Sequence, residues 1–481
     1  MALPHPLATS PHATDHLTAR LADDLDPADL AAALDEHRRT TLPRLERLWR
    51  YYRNPMAPAR DWRGYRLAQE AGLPPRISGA WGNREAVVEN DIGWRVQAMV
   101  DLLLGKPLRI TSTAPADDRR ALIDRALDRV WERSGGIALL QDAALLGQVY
   151  GYVDLLLRVD DDALRALPRA DAQRRALAAA DALRIELLEP RRTVPVLDPS
   201  DTRTPRAVAL LAPAPSTIDP RVARPPAQDV TELFVGRLHR TFAEGRLVAE
   251  HERAWGDDAP PIVHIQNISD PFAYAGLGEV EPLIPLQDEL NTRLSDRAHR
   301  VTMQSFRMYL ARGIDGFEKT PIAPGQVWVT DNPDAAITAF GGDAPTPGEE
   351  AHIRELREAL DKASGIPPLA GGVVQGRIGN LSSAMALRVT LLGALAKTAR
   401  KRVTYGAGIA RLCRLILDAL DATDALPTDP AERTVRLAWP DPLPTDPRDA
   451  VQVAKGKLDL GIPDTRVLEE LGYAATDDGV A

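Results

Sequence analysis

Cysteine is all but missing from this 481-residue chain: Cys413 stands alone. No intrachain disulfide can form, and the chain suits a reducing compartment. Its setting, "IARLCRLILDAL", gives Cys413 the role of a small buried hydrophobe. Long apolar runs are missing too. No stretch approaches the roughly 18 residues that a membrane helix needs, and the opening "MALPHPLATSPHATDHLTAR" is polar and proline-broken, unlike a signal peptide. No membrane partner is expected. Positive charge is in deficit, with 59 Lys and Arg against 68 Asp and Glu, a net −9. Counterion release on nucleic acid needs a basic footprint, so the balance argues against a chain that clamps DNA by charge alone; it does not exclude a surface that DNA slides past. The histidines scatter, and their one i,i+4 pair, His12 and His16, lies in the polar leader. There is no G-x-S-x-G elbow and no cysteine–histidine motif. No catalytic residue, metal site or cofactor is expected.

What is present is length enough for two to four domains' worth of core and a clear order of elements. "DPADLAAALDEHRRTTLPRLERLWRYYRN" reads as helical segments broken at Pro43. In "NREAVVENDIGWRVQAMVDLLLGKPLRI", Val88, Ile92, Val96, Met99 and Leu103 keep the rhythm of one helix face, with Gly105 as a left-handed stop and Pro107 as a block. "LRITST" looks like a strand; two helices follow, the second running into a strand at "YVDLLLRVD". The Ala/Arg-rich piece from Asp160 to Leu183 is helix or low-complexity linker. From there to Ile265 the pattern is β-rich, with a hairpin turning at Glu244-Gly245 and His264 as a packed strand residue.

The character changes at "GLGEVEPLIPLQDELNTRLSDRAHRVTMQSF". Leu283, Leu290, Leu294, Ala298 and Val301 make an apolar stripe, and Pro282 and Pro285 confine the helix start to its first turn. "SFRMYL", "GQVWVT" and "AAITAF" read as three strands, with Asn332-Pro333-Asp334 at a turn. "PGEEAHIRELREALDKAS" is a second charged helix, acids first and Lys362 last, stopped at Gly365. After a Gly-rich loop, Ser382 or Ser383 caps a helical pattern carried to Leu420, roughly 55 Å long if unbroken. Lys397, Arg400 and Lys401 on it read as a solvated face.

Gly371 and Gly376 fall at the G-x-x-x-x-G spacing of a phosphate loop, but the loop follows a helix and two prolines. Arg377 and Ile378 stand where Lys and Ser/Thr are required, so magnesium would have no hydroxyl. ATP binding is disfavoured. Instead Gly365, Gly371, Gly372, Gly376 and Gly379 give the loop wide backbone freedom, and Val373, Val374 and Ile378 give it an apolar tip. That composition suits either moving contact with a smooth partner or a plain surface connector.

Four motifs in order carry a resemblance: the Asn-led helix ending in Gly-Lys-Pro, "GQVYGYVDLLLRVD", "GLGEVEPLIPLQDELNTRLSD" and "GNLSSAMALRVTLLGALAKTARKR". With the Pro-Asp-rich "WPDPLPTDPRDAVQVAKGKLDLGIPDTRVLEELGY", the chain from about Arg47 to Tyr473 resembles the portal, or head–tail connector, proteins of tailed bacteriophages. The departures are a short C-terminal region and the Ala/Arg insert after Asp160.

The resemblance implies an α+β, mainly helical fold with wing, stem, clip and small crown, assembling into a ring, commonly of twelve subunits, at one capsid vertex. Its parts would be a flexible leader (1–45), wing (46–276), stem helix (277–305), β-rich clip (306–347), returning stem helix (348–364), tunnel loop (365–380), long wing helix and following strand (381–440) and short crown-like region (441–481). Implied partners are further copies of the chain, double-stranded DNA passing through the channel, terminase, major capsid and scaffolding proteins and a head-completion adaptor, in the virion after assembly in the host cytoplasm. No enzymatic activity is implied. The tunnel loop would present Gly371, Gly372, Val373, Val374, Gln375, Gly376, Arg377 and Ile378 to the bore. Twelve chains at −9 each would carry about −108, repelling DNA generally. Arg293, Arg297 and Arg300 recur on one side of the stem, either steadying DNA or bridging to Asp288, Glu289 or Asp296 of a neighbouring subunit. A minor capsid or scaffold-associated protein is the alternative; it would lack the helix–β–helix–loop–helix order.

Overall fold

The computed structural model describes residues 25–58, 65–74, 86–167, 171–213, 229–305, 308–313, 331–340, 347–371, 384–443, 447–464 and 467–468. Helix α1 (Pro27–Glu36) passes through one π-helical turn (His37–Thr41) into α2 (Leu42–Arg53). Pro43 does not break the helix, contrary to the sequence pattern. It sits in the first turn of α2, and the wide turn before it, closed by the Leu42 N–H donating to the His37 carbonyl, accommodates the missing donor.

A short ribbon of β1 (Met56–Pro58) and β2 (Tyr65–Leu67) precedes α3 (Asp91–Leu104), β3 (Arg109–Ser112), α4 (Asp117–Arg133) and α5 (Gly136–Tyr150). On α3 the apolar stripe holds: Ile92, Val96, Met99 and Leu103 are buried, while Val88 lies ahead of the helix. Gly105 ends α3 in a right-handed conformation (φ −68°), not the left-handed one expected, and Pro107 stops continuation. Strand β4 (Tyr152–Val159) leaves α5 through Gly151, whose φ of +91° only glycine adopts at low cost. The Ala/Arg-rich insert folds as two short helices, α6 (Asp161–Arg165) and α7 (Ala172–Ala180), the second burying Ala176, Ala179 and Ala180.

Strands β5 (Leu183–Leu188), β6 (Thr193–Asp198), β7 (Asp201–Leu211), β8 (Val230–Val235), β9 (Leu238–Ala243), β10 (Arg246–Glu252) and β11 (Ile262–Gln266) complete two antiparallel sheets. Their orders are β10-β9-β8-β7-β6 and β11-β4-β5. Glu244 (φ 51°) and Gly245 (φ 74°) make the expected hairpin turn. The run Ala207–Leu211 is buried throughout because β7 is covered on both faces. Ala207, Ala209 and Leu211 pack beneath α1, and Val208 and Leu210 pack with Leu156, Leu188 and Ile262 of the other sheet.

The chain continues through α8 (Ile284–Ser305), β12 (Met308–Arg312), β13 (Ala336–Phe340), α9 (Pro347–Ser364), α10 (Ala384–Thr390), α11 (Leu392–Ala422), β14 (Val435–Ala438) and α12 (Pro447–Asp459). β12 and β13 pair antiparallel, and Asn332 makes the turn before β13, its side chain accepting from the Asp334 N–H. "GQVWVT", Ser382 and Ser383 lie outside the described residues. The long helix is interrupted at Leu391 (φ −92°, ψ 8°), so α11 alone has 31 residues, about 46 Å. The Thr390 hydroxyl donates to the Ala386 carbonyl one turn back, a contact that bends helices.

Two cores organise the body. One packs α11 with α4, α5 and the β11-β4-β5 sheet around Leu127, Val153, Ile409 and Leu412; Cys413 lies in it, fully buried. The other gathers Leu45, Leu48, Ile92 and Val96 against Leu283, Leu290 and Leu294 of the α8 stretch and Ile353, Leu356 and Leu360 of α9. Among the described residues no helix is long and apolar enough to cross a membrane, and no group of three His, Cys, Asp or Glu could hold a metal ion.

Candidate functional site

Helices α8 and α9 run antiparallel, joined at their far end by the β12–β13 pair and rooted in the second core at their near end. A 3-10 turn (Glu281–Leu283) with Pro282 in its first positions starts the outgoing helix. The apolar stripe is buried only near the root. Leu283, Leu290 and Leu294 are covered, Ala298 is half-buried, and Val301 is 51% exposed. Among the described residues, the outer half of the pair buries little of its apolar stripe.

Beside that stripe runs a polar ladder. Gln287, Asn291 and Ser295 recur every fourth residue and are buried. Gln287 Oε1 accepts from the N–H groups of Asp91 (3.1 Å) and Ile92 (3.2 Å), and its Nε2 donates to the Glu89 carbonyl at 2.6 Å. Asn291 Oδ1 accepts from Glu89 N–H at 3.0 Å, and Ser295 Oγ from Val87 N–H at 2.9 Å. The extended segment before α3 thus has its backbone satisfied by side chains of α8.

The charged residues singled out on α8 are mostly paired within the chain. Arg293 donates to Glu289 (2.7 Å) and Asp296 (3.2 Å), and Arg300 pairs with Glu349 across on α9. Asp288 accepts from the Tyr51 hydroxyl at 2.7 Å. Burial raises the Asp288 carboxyl above its ordinary range, and burial together with that hydrogen bond pushes the Tyr51 phenol up to about 12. Arg297 has no ion-pair partner among the described residues.

Of the loop residues expected to face the bore, only Gly371 is described; Gly372, Val373, Val374, Gln375, Gly376, Arg377 and Ile378 lie outside the described residues. The loop's base is built tightly. Gly365 (φ +67°) ends α9, and Ile366 is buried against Ala98 and Met99. Arg95, itself buried, donates to Asp361 (2.7 Å), Ser364 Oγ (3.0 Å) and the Ile366 carbonyl (2.7 Å) and lies over the Trp94 ring. A Cβ on Gly371 would come within 2.8 Å of that ring, so the close approach requires glycine.

At the same root, Lys397 and Lys401 are not on a solvated face, as the sequence pattern suggested; only Arg400 is exposed. Lys401 is fully buried, donating to Glu279 at 2.7 Å and to Gln148. Lys397 donates to the other Glu279 oxygen at 2.8 Å and to the Ser364 carbonyl at 2.5 Å. Burial would raise the Glu279 carboxyl, but the two ammonium groups outweigh it and hold it below its ordinary value. Burial drives Lys401 down to about 8, more than Glu279 can offset. One carboxylate faces two amines, so the cluster reaches neutrality when Lys401 gives up its proton. It joins the approach to α8, the end of α9 and the long helix. The four-residue spacing of Gln287, Asn291 and Ser295 was visible in sequence. Glu279's partners were not, since they come from elements far along the chain.

A family model described as "Phage portal protein, SPP1 Gp6-like" matches residues 32–473. Two solved structures show similarity. "Virion of native gene transfer agent (GTA) particle" is 14% identical, covers 80% of this chain and 90% of that one, and has a TM-score of 0.40. "Neck of empty GTA particle computed with C6 symmetry" is 14% identical, covers 84% and 97%, and has a TM-score of 0.41. No curated protein matches.

Proposed function

The chain belongs to the SPP1 Gp6-like family of phage portal proteins, and from that premise we propose that it forms the ring-shaped channel at one capsid vertex through which double-stranded DNA is packaged and later ejected. The observation that carries this reading is the family match over residues 32–473, taken with the rooted antiparallel pair α8 and α9. On it, α8 and α9 are the stem, residues 306–347 the clip, residues 365–380 the tunnel loop and residues 441–481 a small crown. The ring would have about twelve copies and would dock terminase during filling and a head-completion adaptor afterwards. Major capsid and scaffolding proteins would surround it in the virion, after assembly in the host cytoplasm.

The side-chain geometry supports a conduit that does not grip DNA. Arg293 and Arg300 are neutralised by Glu289, Asp296 and Glu349 of the same chain, which lowers the phosphate affinity that would brake translocation. Arg297 on α8, with exposed Arg354 and Lys362 on α9, carries stem charge without an ion pair among the described residues and is left for transient contact. The role is structural, with no chemistry assigned to any residue. Electron microscopy of the purified protein tests it: turbine-shaped rings with an axial hole are expected, and monomers or dimers at every concentration would overturn the reading.

A further inference from the structure

The sequence from Lys362 to Leu417 contains no Asp or Glu at all, in a chain of net charge −9. Within it, α11 turns Leu392, Ala396, Ala399, Val403 and Ala407 to solvent at three- and four-residue spacing, one continuous face. Leu392 is 64% and Val403 71% exposed. Small residues make the face shallow, and arginines border it. Arg400 has no partner among the described residues, while Arg411 and Arg414 approach Asp257 and Asp418 no closer than 3.9 Å. An apolar stripe fits a protein partner; a DNA backbone would favour charge along its length.

Phe272 is the most exposed large apolar residue among those described, at 87%. The loop carrying it is nonetheless fixed. Gln266 donates to the Ala273 carbonyl (2.7 Å) and accepts from Asp270 N–H (3.1 Å). Arg203 donates to the Pro271 carbonyl (2.9 Å), Thr202 to the Phe272 carbonyl (3.2 Å), and the Tyr274 hydroxyl to buried Asp154 (3.0 Å). A held backbone presenting a free aromatic loses little entropy on binding, the condition for an anchor residue. Carboxylates outnumber cations around it: Asp270 two residues before, and Asp198 and Asp201 at the strand turn next to Thr202, against the one guanidinium of Arg203.

We propose that, in the ring, the acid-rimmed Phe272 loop of one protomer seats on the arginine-bordered Leu392–Val403 face of the next protomer's long helix. In a ring the contact is head-to-tail, each protomer giving its Phe272 loop to one neighbour and its helix face to the other. Charge sets the register while the apolar centre is buried. The proposal rests on the ring reading above.

Its test is a Phe272→Cys/Val403→Cys double variant treated with a short bis-maleimide. Cys413 is buried and stays silent, so the engineered thiols report alone. A covalent ladder beyond the dimer, absent from both single variants, is expected. Intact rings by electron microscopy with no ladder, or cross-linked dimers from Phe272→Cys alone, would overturn the contact and leave the ring reading standing. Absence of rings from the unmodified chain would overturn both. Phe272→Asp should raise the concentration for half-assembly about tenfold or more with the monomer's thermal unfolding unchanged. If Arg400→Glu leaves assembly untouched but weakens DNA retention in a salt-dependent way, the helix face serves DNA and the proposal fails.

Discussion

Lys401 Nζ lies 2.7 Å from Glu279 Oε1, although 122 residues separate them in the chain and neither side chain reaches solvent. Removing the carboxylate alone would leave two ammonium groups at the root of the α8–α9 pair. Glu279→Gln is expected to cost about 3–5 kcal/mol, measured by urea unfolding. Lys401→Met, which keeps Lys397 paired to Glu279, should cost clearly less. Equal losses from both would argue against an excess of buried positive charge.

The same pair gives stability a pH dependence of known sign. Lys401 releases its proton at about 8 when folded, against 10.5 ordinarily. Between those values the unfolded chain binds more protons, so this group's contribution to stability rises with pH. Glu279, held below its ordinary value, contributes fully above that value and loses its contribution as pH falls through the folded one. Unfolding free energies for the unmodified chain and Lys401→Met, compared from about pH 7.5 to about pH 10, should diverge in favour of the unmodified chain. A constant difference would refute the shift.

The polar ladder predicts that Gln287→Leu destabilises by about 1–3 kcal/mol, because the Ile92 N–H loses its acceptor while the Asp91 N–H and the Glu89 carbonyl are left with only each other. Amide exchange at Asp91 and Ile92 should accelerate with it. Unchanged protection there would show that Gln287 is not what holds the segment.

Cys413 should be inert in the folded protein. Burial pushes its thiol up to about 12, and no sulfur surface reaches water. Labelling by a maleimide should therefore follow the rate of unfolding, and fast labelling under native conditions would contradict the packing of α11 against Trp131.

Shortening the segment between Gly371 and Gly379 should leave rings intact while impairing DNA packaging or retention. Full packaging by such a variant would remove the role proposed for the loop.

The amino-acid sequence by itself determined most of the described elements and their order. Apolar spacing in Ile92, Val96, Met99 and Leu103, the Glu244-Gly245 turn, the stop at Gly365 and the two charged helices are properties of neighbours within a few residues, and each is found in the structure. The family resemblance was legible for the same reason, since it lies in ordered local motifs. Tertiary structure decided what the charges do. Lys397 and Lys401 carry the spacing of an exposed basic face, yet Glu279 and Ser364 draw them inward. Arg293 and Arg300 find their carboxylates within one chain. Pro43 and Leu391 also depart from the sequence pattern, one accommodated by a π turn and the other interrupting the long helix. Hydrophobic periodicity is written in short windows, whereas the partner of a buried ion is chosen by which distant segments the fold brings within 3 Å.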